Sequence, residues 1–179
     1  MDYKYLDKQD KDTIKELFTS VFTSSEGKDE GLLVGELSSK LASGIDNQTT
    51  FCLGAYIANK LVGSIFFTRL AFNTTEIKVY MLALVAVSTQ HQHRGVGKSL
   101  INFGLNELKR KGVDVVITYG DPSFYSKVGF IRLPQSTIQL PLKLSMPEGW
   151  LGQSLTNDTI PVIKERPTCV KAFNNPAYW

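Results

Sequence analysis

The residues that can do chemistry concentrate in one stretch. From Val85 to Ser99 the chain reads Val-Ala-Val-Ser-Thr-Gln-His-Gln-His-Arg-Gly-Val-Gly-Lys-Ser. The apolar run Met81 to Val87, short and β-branched towards its end, predicts a buried strand. A polar turn follows, and Gly95 and Gly97 open a segment with helical periodicity at Leu100, Ile101, Gly104, Leu105 and Leu108. A strand, a glycine-rich turn and a helix N-terminus together form an anion site. Glycine lets the backbone approach a phosphate, and the first N–H groups of a helix have no intrahelical partner. Arg94 and Lys98 add positive charge. The chemistry expected here is backbone binding of a phosphate.

The spacing excludes two common phosphate loops. A nucleoside-triphosphate loop needs Gly-Lys-Ser/Thr four residues after a glycine, and the full dinucleotide fingerprint needs three glycines. A second constellation lies further on. Val113 to Tyr119 predicts another apolar strand, followed by Gly120-Asp121-Pro122-Ser123-Phe124-Tyr125-Ser126-Lys127-Val128-Gly129-Phe130.

Gln92-x-x-Gly95-x-Gly97 resembles the acyl-CoA signature of the GNAT superfamily of N-acetyltransferases, Gln/Arg-x-x-Gly-x-Gly/Ala. The second stretch resembles another landmark of that family, a short helix carrying Phe-Tyr and then a Gly-Phe that starts a strand. Its wording, Gly-Asp-Pro-x-x-Tyr-Ser-x-x-Gly-Phe, is similar to the bacterial branch called YhbS-like. The resemblance implies an α/β (α+β) fold: a mixed, mostly antiparallel central sheet flanked by helices, with splayed central strands. It implies acetyl-CoA as co-substrate, a primary amine as acceptor and direct transfer in a ternary complex. Backbone groups of Gln92, His93, Arg94, Gly95, Val96, Gly97 and Lys98 would wrap the pyrophosphate, with Ser99 in the first helical turn as a further donor. The edge Val85-Ala86-Val87 would pair with the pantetheine arm, and the Val85 N–H would polarise the thioester carbonyl as an oxyanion hole does. Tyr125 matches the family's general acid. A phenol near pKa ~10 and a thiol near ~8.5 are close enough to share a proton.

No base is legible. Some relatives carry a glutamate where Met81 stands, and methionine accepts no proton. Glu76 falls in the preceding turn. Asp121 reads equally as a base and as a helix cap, while His91 and His93 have suitable titration ranges but sit at the phosphate turn. Neither Cys52 nor Cys169 has a neighbour that lowers a thiol pKa, so a cysteine acyl-enzyme is not expected. Two rival readings stay open: a non-catalytic acyl-CoA-binding or sensor module of the same fold, and an acyltransferase for longer chains.

The elements that must position these groups follow in order. Tyr3 to Leu6 predicts a first strand. A helix capped by Asp10 or Asp12 shows a face of Ile14, Leu17, Phe18, Val21 and Phe22. Thr23 to Glu30 reads as a polar loop and Leu32 to Ala42 as a second helix. Thr50 to Ala58 and Leu61 to Phe72 predict a hairpin, with Gly63 marking a bulge or close packing. Gly112 stops the signature helix. Beyond Phe130, Ile138 to Leu144 alternates like a strand, while Met146 to Leu151 and Phe173 to Trp179 show little periodicity.

A chain of 179 residues, 42% apolar and 21% charged, predicts one globular domain over 1–179, with 131–179 packed on it as a tail. A net charge of +3 suits a locally held anion and argues against a nucleic-acid partner. No cysteine spacing suggests a metal, and no run suggests a signal peptide or membrane span, so the expected compartment is the cytoplasm. Oligomeric state is open between monomer and homodimer.

Overall fold

Two helices joined by a single residue open the fold after the first strand. In a computed structural model, which describes residues 1–143, 145–156 and 159–179, β1 spans Asp2–Leu6, α1 Lys11–Glu26 and α2 Lys28–Ser43. The expected polar loop from Thr23 to Glu30 is therefore not a loop. Gly27 alone makes the turn, at φ 101°, and donates its N–H to the Thr23 carbonyl. The polar side chains around it are solvated helix positions, which composition alone cannot tell from a loop. Gly31 and Gly35 let the helices meet closely: a Cβ at Gly31 would lie 1.9 Å from the Thr23 hydroxyl, and one at Gly35 2.0 Å from that of Thr19. The cap also differs from expectation. Asp7 and Asp10 form a reciprocal capping box on a 3-10 turn at Lys8–Asp10, and Asp10 makes no side-chain cap bond to α1.

Strands follow where β-branched and aromatic residues collect: β2 Thr50–Ile57, β3 Lys60–Leu70, β4 Val79–Val87, β5 Val115–Tyr119, β6 Ile131–Arg132 and β7 Trp150–Ser154. Ala58 and Asn59, both left-handed, close the β2–β3 hairpin. Helix α3 spans Val96–Arg110 and α4 Pro122–Tyr125. The strands form one seven-stranded sheet in the order β1-β2-β3-β4-β5-β7-β6. β4 and β5 pair in parallel, whereas β1–β2, β5–β7 and β6–β7 are antiparallel. This is the mixed, mostly antiparallel sheet that was expected.

The chain groups into two compact units, Met1–Phe67 with Leu84–Gly104, and Thr68–Ala83 with Leu105–Trp179. The first has its core in Ile14, Phe18, Leu37, Leu41, Leu53, Phe66 and Phe67, with the Phe18 and Phe66 rings 5.9 Å apart. The second is centred on Val116, Ile117, Phe130, Ile138 and Trp150. Within it, Trp150 donates its indole N–H to the Ile138 carbonyl at 3.1 Å, and Trp179 packs on Trp150.

The expected strand from Ile138 to Leu144 is reduced to one parallel bridge, Ile138 with Ile163; Leu144 lies outside the described residues. Pro141 removes a ladder donor from that run. The strand beside β5 is instead β7, Trp150–Ser154, whose register with β5 is set by Ile117 opposite Gly152. A glycine and two polar residues in a five-residue strand leave no alternation to read.

A carboxylate clips the tail to the turn before β4. Glu165 accepts from the N–H groups of Asn73 and Thr74 and from both their side chains, at 2.6–3.0 Å. These bonds, the Thr74 hydroxyl foremost, hold its carboxyl down at about 2. A carboxyl depressed in the folded state stabilises above its unfolded pKa, roughly 4.3, and loses that contribution as pH falls from there towards 2. Acid titration of the melting temperature is expected to show this window in the native protein and a shallower slope in Glu165→Gln. Gly104 generates a second expectation. A Cβ there would lie 2.5 Å from the Phe67 ring, so Gly104→Ala should lower stability by about 1–3 kcal/mol in denaturant unfolding.

Candidate functional site

The parallel ladder of β4 with β5 runs from Val79–Val115 to Leu82–Thr118, and β4 then continues five residues to Val87. Burial changes at the same point: Val79 to Leu82 are buried, whereas Ala83, Leu84, Val85 and Val87 are only half-buried. The Ser88 N–H donates to the Val62 carbonyl of β3 at 2.8 Å. Backbone groups alternate sides along a strand, so those of Val87 and Val85 face away from β3. The Val87 carbonyl is taken by the Gln92 side chain, whose Nε2 donates to it at 2.9 Å.

The turn after β4 is built to expose N–H groups. Thr89–His91 forms a 3-10 turn, with the His91 Nδ1 2.7 Å from the Ser88 hydroxyl. His93 and Gly95 are both left-handed, at φ 58° and 81°. Gln92 before them is extended, so the chain turns sharply at His93 and again at Gly95. A Cβ at Gly95 would meet nothing within 4 Å, so the space above that glycine is open. Helix α3 then starts at Val96, and its first i→i−4 bond is Ser99 N–H to the Gly95 carbonyl at 2.9 Å. The N–H groups of Val96, Gly97 and Lys98 precede that bond and have no place in the intrahelical ladder. Ser99 has spent its N–H, so only its hydroxyl is left to donate. Gly63 marks close packing, with a Cβ position 3.4 Å from the Ala86 carbonyl and from Leu100.

The sequence-expected site residues thus divide. Val85, Ala86, Val87, Gln92, His93, Arg94, Gly95, Val96, Gly97, Lys98 and Ser99 share the first unit, with Ala86 and Val96 buried in it. Tyr125, Asp121 and Met81 belong to the second unit.

Tyr125 ends α4. Its ring packs edge-on against Phe130 at 5.7 Å and Phe124 at 5.1 Å. Burial pushes the phenol above its ordinary value, an effect the neighbouring Thr118 hydroxyl partly opposes. Of the two readings of Asp121, the cap is present in the structure. Its carboxylate accepts from the Ser123 N–H at 2.8 Å and the Ser123 hydroxyl at 2.6 Å, and these bonds lower its pKa, which weakens it as a base. Met81 is buried at 2% exposure. Burial pushes the Cys52 thiol up to about 12 and also raises Cys169, so neither is an activated nucleophile. Among the described residues no group of three or more His, Cys, Asp or Glu is placed to hold a metal ion, and no helix is long and apolar enough to cross a membrane.

One contribution was not legible: the Gln92 side chain, and not only its backbone, shapes the turn.

A family model for the acetyltransferase (GNAT) domain matches residues 2–132. The chain belongs to the GNAT acetyltransferase family. It is an acyltransferase by that membership, and its relatives extend beyond the matched segment. The uncharacterized N-acetyltransferase YjhQ of Escherichia coli K12 is 31% identical over 156 residues, 84% of this chain and 82% of that protein. The GNAT protein YhbS of Escherichia coli, solved in complex with CoA, superposes with a TM-score of 0.77 at 21% identity, covering 97% of this chain and 91% of its own. A GNAT acetyltransferase of Brucella melitensis, solved with acetyl-CoA, gives 0.70 at 20% identity with 97% coverage of both chains. These likenesses support the YhbS-like branch and the GNAT fold.

The half-buried phenol yields an expectation for this GNAT protein. Spectrophotometric titration of tyrosine should show one fewer late-ionising phenol in Tyr125→Phe, and the difference curve should have its midpoint above pH ~10.

Proposed function

We propose that the protein transfers acetyl from acetyl-CoA to a primary amine by direct attack within a ternary complex. The observation that carries this reading is the β4 edge. Val85 and Val87 turn their backbone groups away from β3 beyond the end of the β5 ladder, and the same strand leads straight into the open first turn of α3. A pantetheine arm has amides that suit a strand edge, and its pyrophosphate suits the N–H groups of a helix's first turn. The residues present fit acetyl-CoA, and the relatives solved with CoA or acetyl-CoA support the assignment.

In this reading the N–H groups of Gly95, Val96, Gly97 and Lys98 hold the pyrophosphate, with Arg94 and Lys98 adding charge from exposed positions. The Val85 N–H donates to the thioester oxygen as the amine attacks and negative charge builds there. The carbon–sulfur bond breaks as the carbon–nitrogen bond is made. Tyr125 gives its phenolic proton to the departing sulfur, and the amine's surplus proton leaves to solvent. The acceptor arrives as the neutral amine or loses its proton through water, since buried Met81 replaces the carboxylate of some relatives and Asp121 is held as a cap. The acceptor class is a primary amine on a small molecule, a peptide N-terminus or a lysine. We place the reaction in the cytoplasm, whose reducing conditions suit two unpaired thiols. We further propose that residues 1–179 act as one catalytic domain, a reading supported by β3, β4 and α3 each running from one compact unit into the other.

Thermal unfolding with acetyl-CoA, ATP or NADH tests the co-substrate. At about 100 times its dissociation constant a ligand adds roughly 2.7 kcal/mol, a rise on the order of 5–10 °C for a chain of this size. The rise is expected with acetyl-CoA alone; a flat response, or a larger one with ATP, overturns the reading. CoA-thiol release should then be followed with ethylamine, an aminoglycoside, a lysine peptide and a peptide with a free N-terminus. Tyr125→Phe is expected to lower kcat by about ten- to a hundredfold, the low end for a general acid because a thiolate leaves readily. Acetyl-CoA binding without turnover of any amine or of water would select the non-catalytic acyl-CoA-binding module.

A further inference from the structure

Nothing in the chain connection fixes how far β4 pairs with β5. A hairpin turn sets the register of the two strands it joins, whereas the route from Val87 to Val115 runs out through α3 and back. The last rung, Leu82 opposite Thr118, carries an additional bond. Thr118 is fully buried, and its Oγ1 donates to the Leu82 carbonyl at 3.1 Å. A β-branched side chain has little freedom to release that carbonyl. β5 does not end here. Tyr119 stays paired with Trp150 of β7, and the Gly120 N–H goes to the Gly149 carbonyl at 3.0 Å. One strand therefore continues along β7 while the other leaves it, and the Thr118 hydroxyl sits at the fork. Thr68 on β3 supplies the contrast. It is as fully buried, yet its hydroxyl has no hydrogen-bond partner among the described residues.

We propose that Thr118 is a positioning residue for the acetyl-CoA edge, with a hydroxyl that fixes Leu82 as the rung at which β4 parts from β5. The inference rests on the reading of that edge as the pantetheine site. Val85 and Val87 stand three and five residues beyond Leu82 on the same strand, so this rung sets where their N–H groups first become free to meet a ligand. Strand pairing repeats every two residues, and a slip by one turns every group to the other side. A ligand that adds itself as a strand gains from a register fixed before it arrives. Without the hydroxyl the end of a slanted parallel ladder is freer to fray, and part of the binding free energy goes into restoring its order. Being fully buried, the Thr118 side chain is itself out of a ligand's reach. Its effect falls on the arm of acetyl-CoA and spares the pyrophosphate.

Calorimetric titration with acetyl-CoA, and amide hydrogen exchange at saturating acetyl-CoA, test this together. Thr118→Val, which keeps the shape and removes the hydroxyl, is expected to raise the acetyl-CoA dissociation constant by about three- to tenfold. Its Val85 and Val87 amides should gain less protection on binding than in the native protein, while those of Val96, Gly97 and Lys98 gain as much. Thr118→Ser should restore both readouts. Thr118→Ala, which also lacks the hydroxyl, should lose at least as much and takes the place of the valine variant should that not fold. Thr68→Val removes an equally buried hydroxyl and should leave affinity and protection unchanged. Melting temperatures establish that each variant is folded. Native affinity in Thr118→Val, a serine variant as weak as the valine one, an equal loss from Thr68→Val, or protection lost equally at the edge and the turn overturns the role of Thr118. A native protein that binds no acetyl-CoA, or binds it without protecting Val85 and Val87, overturns the reading of the edge itself.

Discussion

The parallel ladder of β4 with β5 is four residues long, and its shortness governs most of what this protein can do. Backbone N–H and C=O groups of a strand must find partners, and a strand buried on both edges has none to spare. β4 carries five further residues beyond its ladder with β5, followed by the Ser88 N–H bond to the Val62 carbonyl of β3 and with the Val87 carbonyl held by the Gln92 side chain, because pairing with β5 stops at Leu82 and Thr118. The burial of the strand falls at the same residue. An extended ligand with amides of its own is the natural partner of such an edge.

The turn that follows depends on the placement of α3. The helix can offer its first N–H groups only if it begins close to the end of β4, and small residues let it do so. Gly104 sits against the Phe67 ring where a methyl group would collide, whereas a Cβ at Gly63 would meet Leu100 and the Ala86 carbonyl only at 3.4 Å, ordinary contact distance. Gly95 serves differently. Nothing lies near its missing Cβ, so its value lies in the left-handed backbone it adopts and in the open approach it leaves to a phosphate. His93 takes a left-handed conformation with a side chain present, which is uncommon for a non-glycine residue.

In the proposed reaction the proton handling is asymmetric. Tyr125, read as the general acid, is half-buried and boxed by aromatic rings. On the amine side Met81 is apolar and buried, and the Asp121 carboxylate is committed to Ser123. A thiolate departs with or without help and an amine attacks only when neutral, so the acceptor's own pKa bears on the rate more than any side chain placed to deprotonate it.

How much of this was written in the chain itself differs from element to element, for physical reasons. The turn after β4 was legible because its requirements are local: Gln92, Gly95 and Gly97 within six residues, after an apolar run and before a 3.6-residue periodicity, suffice to specify strand, turn and helix start. Tyr125 and its Gly129-Phe130 were legible for the same reason, as was the stop of α3 at Gly112. The α1–α2 turn was not, since seven polar residues on solvated helix faces around Gly27 carry the same composition as a loop, and only Gly31 and Gly35 meeting Thr23 and Thr19 decide between them. Neither was β7, where Trp150 to Ser154 owes its strand to β5 on one side and β6 on the other rather than to its own alternation. The place of the Gln92 side chain belongs to the folded structure alone: a glutamine in a turn becomes a structural tie only when folding brings the Val87 carbonyl to it.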